Sequence, residues 1–196
     1  MSFKVLNTSG YARRGELTTK TCAVQTPVFM PVGTYGTVKG LTPEHLHDVG
    51  FEIILGNAFH LHQRPGLETI KKFNGLHDFM GWNKSILTDS GGFQIWSLND
   101  LRKITEEGVE FKSPLDGSKV FMSPENSIDT QLTLNSDIIM AFDECTDYPS
   151  SYEDAEQSMH LTHRWTERSF DYFQKHQKGH LLFGIVQGGM HEELRK

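Results

Sequence analysis

The sequence predicts an α/β fold of the (β/α)8 TIM-barrel type, incomplete at about five barrel strands, from three observations. Short apolar runs alternate with segments of helical pattern, which indicates a parallel sheet because a crossover helix returns the chain to the same end. Polar residues follow the apolar runs at Asn57, Asp89, Asp143 and Gln187, and the carboxyl ends of barrel strands share one face. The Gly-x-Gly-x-x-Gly turn of a doubly wound sheet does not follow the first strand.

The first part of the chain precedes the predicted barrel. Residues 1–25 are short extended runs separated by turn residues, a pattern that predicts an N-terminal antiparallel β-meander. Residues 26–33 carry apolar side chains on both faces between prolines, and we predict them as the first buried strand. Residues 26–196 are expected to form the first part of the barrel, so that 1–196 is a single partial barrel domain.

A helix is predicted to begin at Thr42 and to extend to about Asp48, because Thr42 is a good N-cap and Pro43 suits the first helical position. An inserted hairpin is predicted near 105–122, where polar–apolar alternation flanks the turn pair Asp116 and Gly117. The other predicted elements are strands at 51–55, 85–88, 138–142 and 181–186, and helical segments at 67–73, from Ser123, at 151–176 and from 192.

A complete barrel of this type needs typically ~250 residues and eight strands. The 196 residues and about five predicted strands fall short of that number. We expect a truncated portion of a longer barrel, in preference to a natural partial barrel that pairs its open edges with another chain.

The composition bounds the class of protein. With 37% hydrophobic and 22% charged residues the chain is expected to be folded, and it carries neither a signal-peptide pattern nor a run of the ~20 apolar residues that cross a bilayer. We therefore expect a cytoplasmic protein without a membrane partner.

Cys22 and Cys145 are far apart and outside any Cys/His cluster, which predicts two reduced thiols and no metal site. The whole chain has a net charge of -6, but residues 1–40 hold five cationic side chains and one anionic side chain. This distribution is compatible with binding to nucleic acid but does not by itself indicate it.

The segment 88–94 is the first candidate site. Asp89 arrives at a predicted strand end, Gly91 and Gly92 allow a sharp turn and close approach to the backbone, and Phe93 offers a ring face. A tight turn with an N-capping aspartate is the simpler alternative, and this segment alone does not decide between the two.

The accompanying residues favour a site. Asp143 offers a pair of acceptors, Gln187 offers a donor and an acceptor, and Gly188 exposes backbone. Together with Phe93 these groups match a purine edge with adjacent N–H donors beside a carbonyl, as in guanine. Two carboxylates in one cleft also allow one to remain ionised while burial moves the other toward neutral pH.

Four motifs in order carry a resemblance to a known family. They are Thr88-Asp89-Ser90-Gly91-Gly92-Phe93-Gln94, Gly56-Asn57-Ala58-Phe59-His60-Leu61 with Arg64-Pro65-Gly66, Phe142-Asp143-Glu144-Cys145, and Gly184-Ile185-Val186-Gln187-Gly188-Gly189. The sequence resembles the bacterial tRNA-guanine transglycosylases, and the resemblance covers this whole chain but only the N-terminal part of the family's chain.

The resemblance implies exchange of guanine at the anticodon wobble position of tRNA for a 7-deazaguanine (preQ1) in queuosine biosynthesis. Asp89 then acts as general acid/base, Asp143 accepts from the N1 and exocyclic amine edge, Gln187 meets the carbonyl side and Phe93 covers the ring. The remaining implied residues are Ser90, Gly91 and Gly92 as pocket lining, and Asn57, Cys145 and Gly188 as pocket neighbours.

The resemblance also implies parts that these residues do not supply. The family's covalent nucleophile is a later aspartate, and its one structural zinc is bound by a cysteine cluster and a histidine in the C-terminal part. We therefore expect no cofactor in this chain and no turnover by the chain alone. The implied partners of the parent protein are tRNA, guanine and 7-deazaguanine bases and a second copy in a homodimer.

Two alternatives remain open. His60 and His62, two positions apart, could join Asp89 as ligands in a metal-dependent barrel hydrolase, although Asn57 and Gln187 are poor zinc ligands. The chain could also belong to a non-catalytic partial barrel that binds tRNA or another subunit.

Overall fold

The computed structural model describes residues 2–98 and 102–196, which form three sheets and seven α-helices. The strands are β1 (Ser2–Ser9), β2 (Ala12–Thr18), β3 (Ala23–Thr26), β4 (Val32–Gly33), β5 (Ile53–Gly56), β6 (Ser85–Thr88), β7 (Arg102–Ile104), β8 (Val109–Lys112), β9 (Lys119–Met122), β10 (Ile138–Met140) and β11 (Leu181–Phe183). The helices are α1 (Pro43–Val49), α2 (Ala58–Leu61), α3 (Leu67–Lys71), α4 (Leu76–Met80), α5 (Gly92–Trp96), α6 (Pro124–Leu134) and α7 (Tyr152–His176), with a kinked connection at His62–Gly66, where Arg64 is extended, and a 3₁₀-helix at Glu192–Arg195.

A five-stranded parallel sheet forms the centre of the structure, in the order β11-β10-β6-β5-β4. The mixed α/β prediction with a parallel sheet is therefore confirmed. The pairing of β10 with β6 is short and ends at Ile139 opposite Thr88. Because the strands are parallel, the segments that follow β5, β6, β10 and β11 all leave the sheet at the same edge.

The prediction of a buried first strand at 26–33 is wrong. Only β4 is extended within the sheet, and it lies at the sheet edge, with Phe29 72% and Val32 53% exposed. Pro27 and Pro31 cannot donate to a ladder, and an edge strand has a neighbour on one side only. The apolar character of this segment therefore does not reflect burial between two neighbouring strands.

The two antiparallel sheets flank this centre. Strands β1, β2 and β3 pair in chain order, and the turn side chain Thr19 bonds through its hydroxyl to Ser85 of β6 at 2.8 Å. The predicted hairpin near 105–122 is the β8–β9 pair, and the structure adds a third strand, β7, that the sequence analysis did not predict. The division into a meander and a partial barrel stays a prediction, and residues 1 and 99–101 of the predicted domain lie outside the described residues.

Two of the central strands, β10 and β11, end earlier than predicted. β10 stops at Met140 and β11 at Phe183, the last pair of their shared ladder. The chain then leaves the sheet, which places Asp143 and Gln187 on irregular segments three and four residues beyond the strands. These irregular segments give the two side chains freedom to turn toward each other.

Three of the predicted helix starts are confirmed by their caps. Thr42, Ser123 and Ser151 each accept a backbone N–H of the first turn of α1, α6 and α7 through the side-chain oxygen. Trp165 of α7 is fully buried and stacks on Phe142 with ring centroids 5.0 Å apart. This contact holds α7 against the segment that carries Asp143.

Candidate active site

Asp89 follows β6, and its carboxylate accepts hydrogen bonds from the start of α2 and from α5. Asn57 donates from Nδ2 to Oδ2 at 2.6 Å, the Ala58 N–H donates to Oδ1 at 2.9 Å, and Gln94 donates from Nε2 to Oδ2 at 3.2 Å. Asn57 is the N-cap of α2, so the same side chain begins a helix and orients the carboxylate. The sequence-predicted neighbours Asn57 and Asp89 are thus in direct contact.

The environment of Asp89 moves its ionisation toward neutral pH. Burial raises the pKa of Asp89 to about 6, against the opposing effect of hydrogen bonds from Ala58, Gln94 and Gly91. The nearby negative charge of Asp143 also raises it. A carboxyl group with this pKa is present in both protonation states near neutrality, as a group that both donates and accepts protons requires.

Asp143 is the second carboxylate, and it is only 7% exposed. Ser90 donates from Oγ to Oδ1 at 3.0 Å, and Gln187 donates from Nε2 to Oδ2 at 2.9 Å. The pKa of Asp143 is raised, because the effect of burial is larger than the opposing effect of the hydrogen bonds from Ser90, Cys145 and Gln187. The structure therefore brings three of the predicted site residues together around one carboxylate.

The two glycines of the loop are required by its geometry. Gly91 has a left-handed φ of 86°, which favours glycine. A Cβ on Gly92 would lie 2.5 Å from the backbone oxygen of Asp143 and 2.7 Å from its Oδ1. The absence of a side chain at Gly92 thus allows the Asp89 loop to approach the Asp143 carboxylate.

Phe93 is 61% exposed and presents a ring face from α5. One side of its ring stacks on Trp96, with centroids 5.3 Å apart. A large exposed aromatic ring on the helix that follows the Asp89 loop is a suitable surface for stacking a flat molecule.

The remaining predicted neighbours lie on the Asp143 side. The Cys145 sulfur is 3.7 Å from Oδ2 of Asp143, and burial raises its thiol pKa to about 12, so the thiol stays protonated at neutral pH. Gly188 is buried at a φ of 108°, and a Cβ there would lie 2.8 Å from Cβ of Leu194. Cys145 acts as a small neutral donor here, and Gly188 allows the last described segment to fold back.

Sequence reasoning assigned no role to three polar side chains that support the site. Gln94 binds Asp89 directly, and Ser127 and Gln131 of α6 bind the backbone or side chains of the neighbouring strands and loop. Gln94 lies in the same motif as Asp89, five residues further along the chain, and this proximity could have indicated that it supports the carboxylate. The sequence does not distinguish Ser127 and Gln131 from solvated residues, because α6 carries polar residues on both its buried and its exposed face.

His60 and His62 do not assemble a metal site with Asp89. The His60 ring lies 3.3 Å from the Tyr35 hydroxyl. Among residues 2–98 and 102–196, no three His, Cys, Asp or Glu side chains are grouped so that they could hold a metal ion. In the same parts of the chain, no helix has the length and apolar character that crossing a membrane requires.

The fold and the site define an α/β protein with two neighbouring carboxylates, one half-buried and one buried, beyond the strand ends of a parallel sheet. A family model described as queuine tRNA-ribosyltransferase matches residues 8–196, and the chain belongs to this family. The resemblance found in the sequence motifs is thereby confirmed.

Curated relatives agree with this assignment. The chain is 60% identical over 195 residues to a queuine tRNA-ribosyltransferase of Dechloromonas aromatica (strain RCB) and 59% identical over 195 residues to one of Azoarcus sp. (strain BH72). It is 59% identical over 196 residues to one of Acinetobacter baumannii (strain ACICU). The matches cover 100% of this chain but 53%, 53% and 52% of the relatives, so the chain spans about half their length.

Proposed function

We propose that the full-length protein containing these residues is a tRNA-guanine transglycosylase. It exchanges guanine at the wobble position of a tRNA anticodon for a 7-deazaguanine in queuosine biosynthesis. The observation that carries the proposal is the pair of neighbouring carboxylates, the half-buried Asp89 and the buried Asp143, with Ser90 and Gly92 of the Asp89 loop lying directly against Asp143. Family membership supplies the substrate class, and the pair supplies the chemistry that base exchange needs.

Asp89 is proposed as the general acid/base. When the glycosidic bond to guanine breaks, the sugar carbon would bond to the covalent nucleophile of the full-length protein and the departing base would gain a proton from Asp89. When the incoming base displaces that nucleophile from the sugar carbon, it would give its ring N–H proton to Asp89. The proton count therefore closes over one exchange. The pKa of about 6 supports this role, because Asp89 can enter the cycle in either form near neutral pH.

Asp143 is proposed to recognise the base. Its two oxygens match the adjacent N1–H and exocyclic amine of guanine, and Ser90 keeps the carboxylate oriented through the 3.0 Å hydrogen bond to Oδ1. Phe93 covers the ring, while Gln187 addresses the carbonyl side. The substrate-binding set is thus Asp89, Ser90, Gly91, Gly92, Phe93, Asp143 and Gln187, with Asn57, Cys145 and Gly188 as neighbours.

We infer that the covalent nucleophile and a structural zinc site lie in the segment that the longer relatives have in addition. That segment would also add the strands that close the barrel, and the complete protein would act in the cytoplasm as a homodimer. Residues 1–196 alone are therefore expected to show no exchange, and guanine should bind them weakly because the remaining pocket walls are missing. Tight guanine binding in a calorimetric titration of this chain would contradict that view of the pocket.

The proposed activity is tested by incorporation of radiolabelled guanine into tRNA. The full-length protein should label a tRNA that has guanine at the wobble position, and it should not label the same tRNA with adenine there. Residues 1–196 tested alongside should give no label. Salt-sensitive binding of tRNA by the full-length protein without any incorporation would favour the non-catalytic alternative and contradict the proposal.

A further inference from the structure

Helix α6 places one buried side chain, Gln131, between the two strands that lead to the aspartates. Gln131 is 0% exposed. Its Oε1 accepts from the Met140 N–H at 2.8 Å and from the Thr88 hydroxyl at 3.1 Å, while its Nε2 donates to the Met140 carbonyl at 2.9 Å. One side-chain amide therefore binds β6 and β10 at the same time.

This amide lies where the pairing of the two strands ends. The β6–β10 ladder stops at Ile139 opposite Thr88, and the next residue of β10, Met140, pairs with Phe183 on its other side. Without Gln131 the half-buried Met140 would lose the partner of both its N–H and its carbonyl, at a free-energy cost. Gln131 extends the connection between the strands by one residue, just before they diverge toward Asp89 and Asp143.

Ser127, one turn earlier on α6, extends the same contact to the Asp89 loop. Its Oγ donates to the backbone oxygen of Ser90 at 2.8 Å and accepts from Nε2 of Gln131 at 3.3 Å. Asp89 lies between Thr88 and Ser90 in the chain. Both neighbours of Asp89 are therefore bonded to α6 through side chains that are themselves bonded to each other.

We propose that Gln131, together with Ser127, is a positioning residue for the exchange reaction. The inference rests on the proposed function. Gln131 fixes the distance between the proton-transferring carboxyl of Asp89 and the base-reading carboxylate of Asp143. Ser127 fixes the position of the loop that carries Asp89 relative to α6. Such spacing has kinetic consequences, because a misplacement of ~1 Å can lower a rate by ~10²-fold.

Two substitutions in the full-length protein separate positioning from base contact. Gln131→Leu removes the link between both strands, so kcat for guanine exchange should fall roughly 10- to 100-fold and KM for guanine should rise. Ser127→Ala removes the contact with the Ser90 backbone but leaves Gln131 bonded to both strands, so kcat should fall while KM for guanine rises less than in Gln131→Leu. The contrast between the two variants is the expected signature.

A third substitution adds a pH readout. A carboxyl group introduced by Gln131→Glu can donate to the Met140 carbonyl only when it is protonated. The kcat of Gln131→Glu, expressed as a fraction of the wild-type value at the same pH, should therefore be higher at pH 6 than at pH 8.5. A constant fraction across this range would contradict the proposed role of the donor.

Ile128→Ala is the matched control for lost stability. Ile128 lies on the same helix and is fully buried, but it packs with Ile139 and Phe173 in a separate apolar cluster. This variant should lower Tm and leave kcat and KM within about twofold of wild type. The inference is overturned if Gln131→Leu and Ser127→Ala retain wild-type kinetics, or if Ile128→Ala reproduces their kinetic changes. An inactive wild-type protein would contradict the proposed function itself.

Discussion

Gln187 donates a hydrogen bond from Nε2 to Oδ2 of Asp143 over 2.9 Å, and the same nitrogen lies 3.2 Å from the carbonyl oxygen of Glu144. The two side chains proposed to read neighbouring groups on the same edge of the base are thus bonded to each other. The amide nitrogen that would meet the base carbonyl already has protein acceptors. Base binding therefore requires Gln187 to exchange at least one of these hydrogen bonds, and this exchange offsets part of the binding free energy.

The raised pKa of Asp89 predicts a pH dependence of stability. A carboxyl whose pKa rises from 3.8 to about 6 on folding stabilises the protein below the lower value, and this contribution disappears as the pH rises through about 6. Between pH 4 and pH 8 the wild type should therefore lose about 2 kcal/mol of unfolding free energy relative to Asp89→Asn. Urea unfolding of both proteins at the two pH values measures this difference. An unchanged difference would contradict the raised pKa.

Gly92→Ala should disturb Asp143 directly. The added Cβ would lie 2.5 Å from the Asp143 backbone oxygen and 2.7 Å from Oδ1, so the loop or the carboxylate must move, at a cost of roughly 1–3 kcal/mol. Thermal unfolding should show a clear decrease in Tm, together with weaker guanine binding by the full-length protein. Gly184→Ala is the control, because a Cβ at Gly184 meets no atom within 4 Å. Equal Tm values for the two variants would contradict the close approach of the loop.

Phe93→Ala should separate binding from stability. Phe93 is largely exposed, so its truncation should change the unfolding free energy by no more than about 0.5 kcal/mol. If its ring covers the base, guanine affinity should fall by about 1–3 kcal/mol. Phe170→Ala, at a comparably exposed position on α7, should leave affinity unchanged. Calorimetric titration of the full-length variants measures the effect, and an affinity of Phe93→Ala equal to that of wild type would remove Phe93 from the pocket.

The parallel sheet made part of the site predictable. Asp89 and Asp143 could be placed together from sequence because parallel strands deliver their carboxyl ends to one edge, wherever the residues lie in the chain. The sequence also predicted a sharp turn at Gly91 and Gly92, but not that Gly92 lies against Asp143, because that contact joins two distant segments of the chain. The extent of each strand did not follow, since β10 and β11 end where their mutual pairing ends, and that depends on tertiary contacts.

Other features could not be derived from local sequence. Apolar side chains at 26–33 suggested a buried strand, yet the prolines and the edge position leave Phe29 exposed. Gln131 and Ser127 have the same residue types as solvated helix positions, and only the packing of α6 against β6 and β10 makes them buried partners of the loop. Long-range hydrogen bonds of this kind leave no periodic signal in the chain.

The division of labour between the two carboxylates is the central claim, and steady-state guanine exchange by full-length Asp89→Asn and Asp143→Asn tests it most directly. Asp171→Asn, an exposed aspartate on α7, is the control and should behave as wild type. Asp89→Asn should lower kcat by about 10²–10⁴-fold with KM for guanine little changed, whereas Asp143→Asn should raise KM for guanine by at least about tenfold. Near-normal kcat in Asp89→Asn, or an unchanged KM in Asp143→Asn, would contradict the assignment.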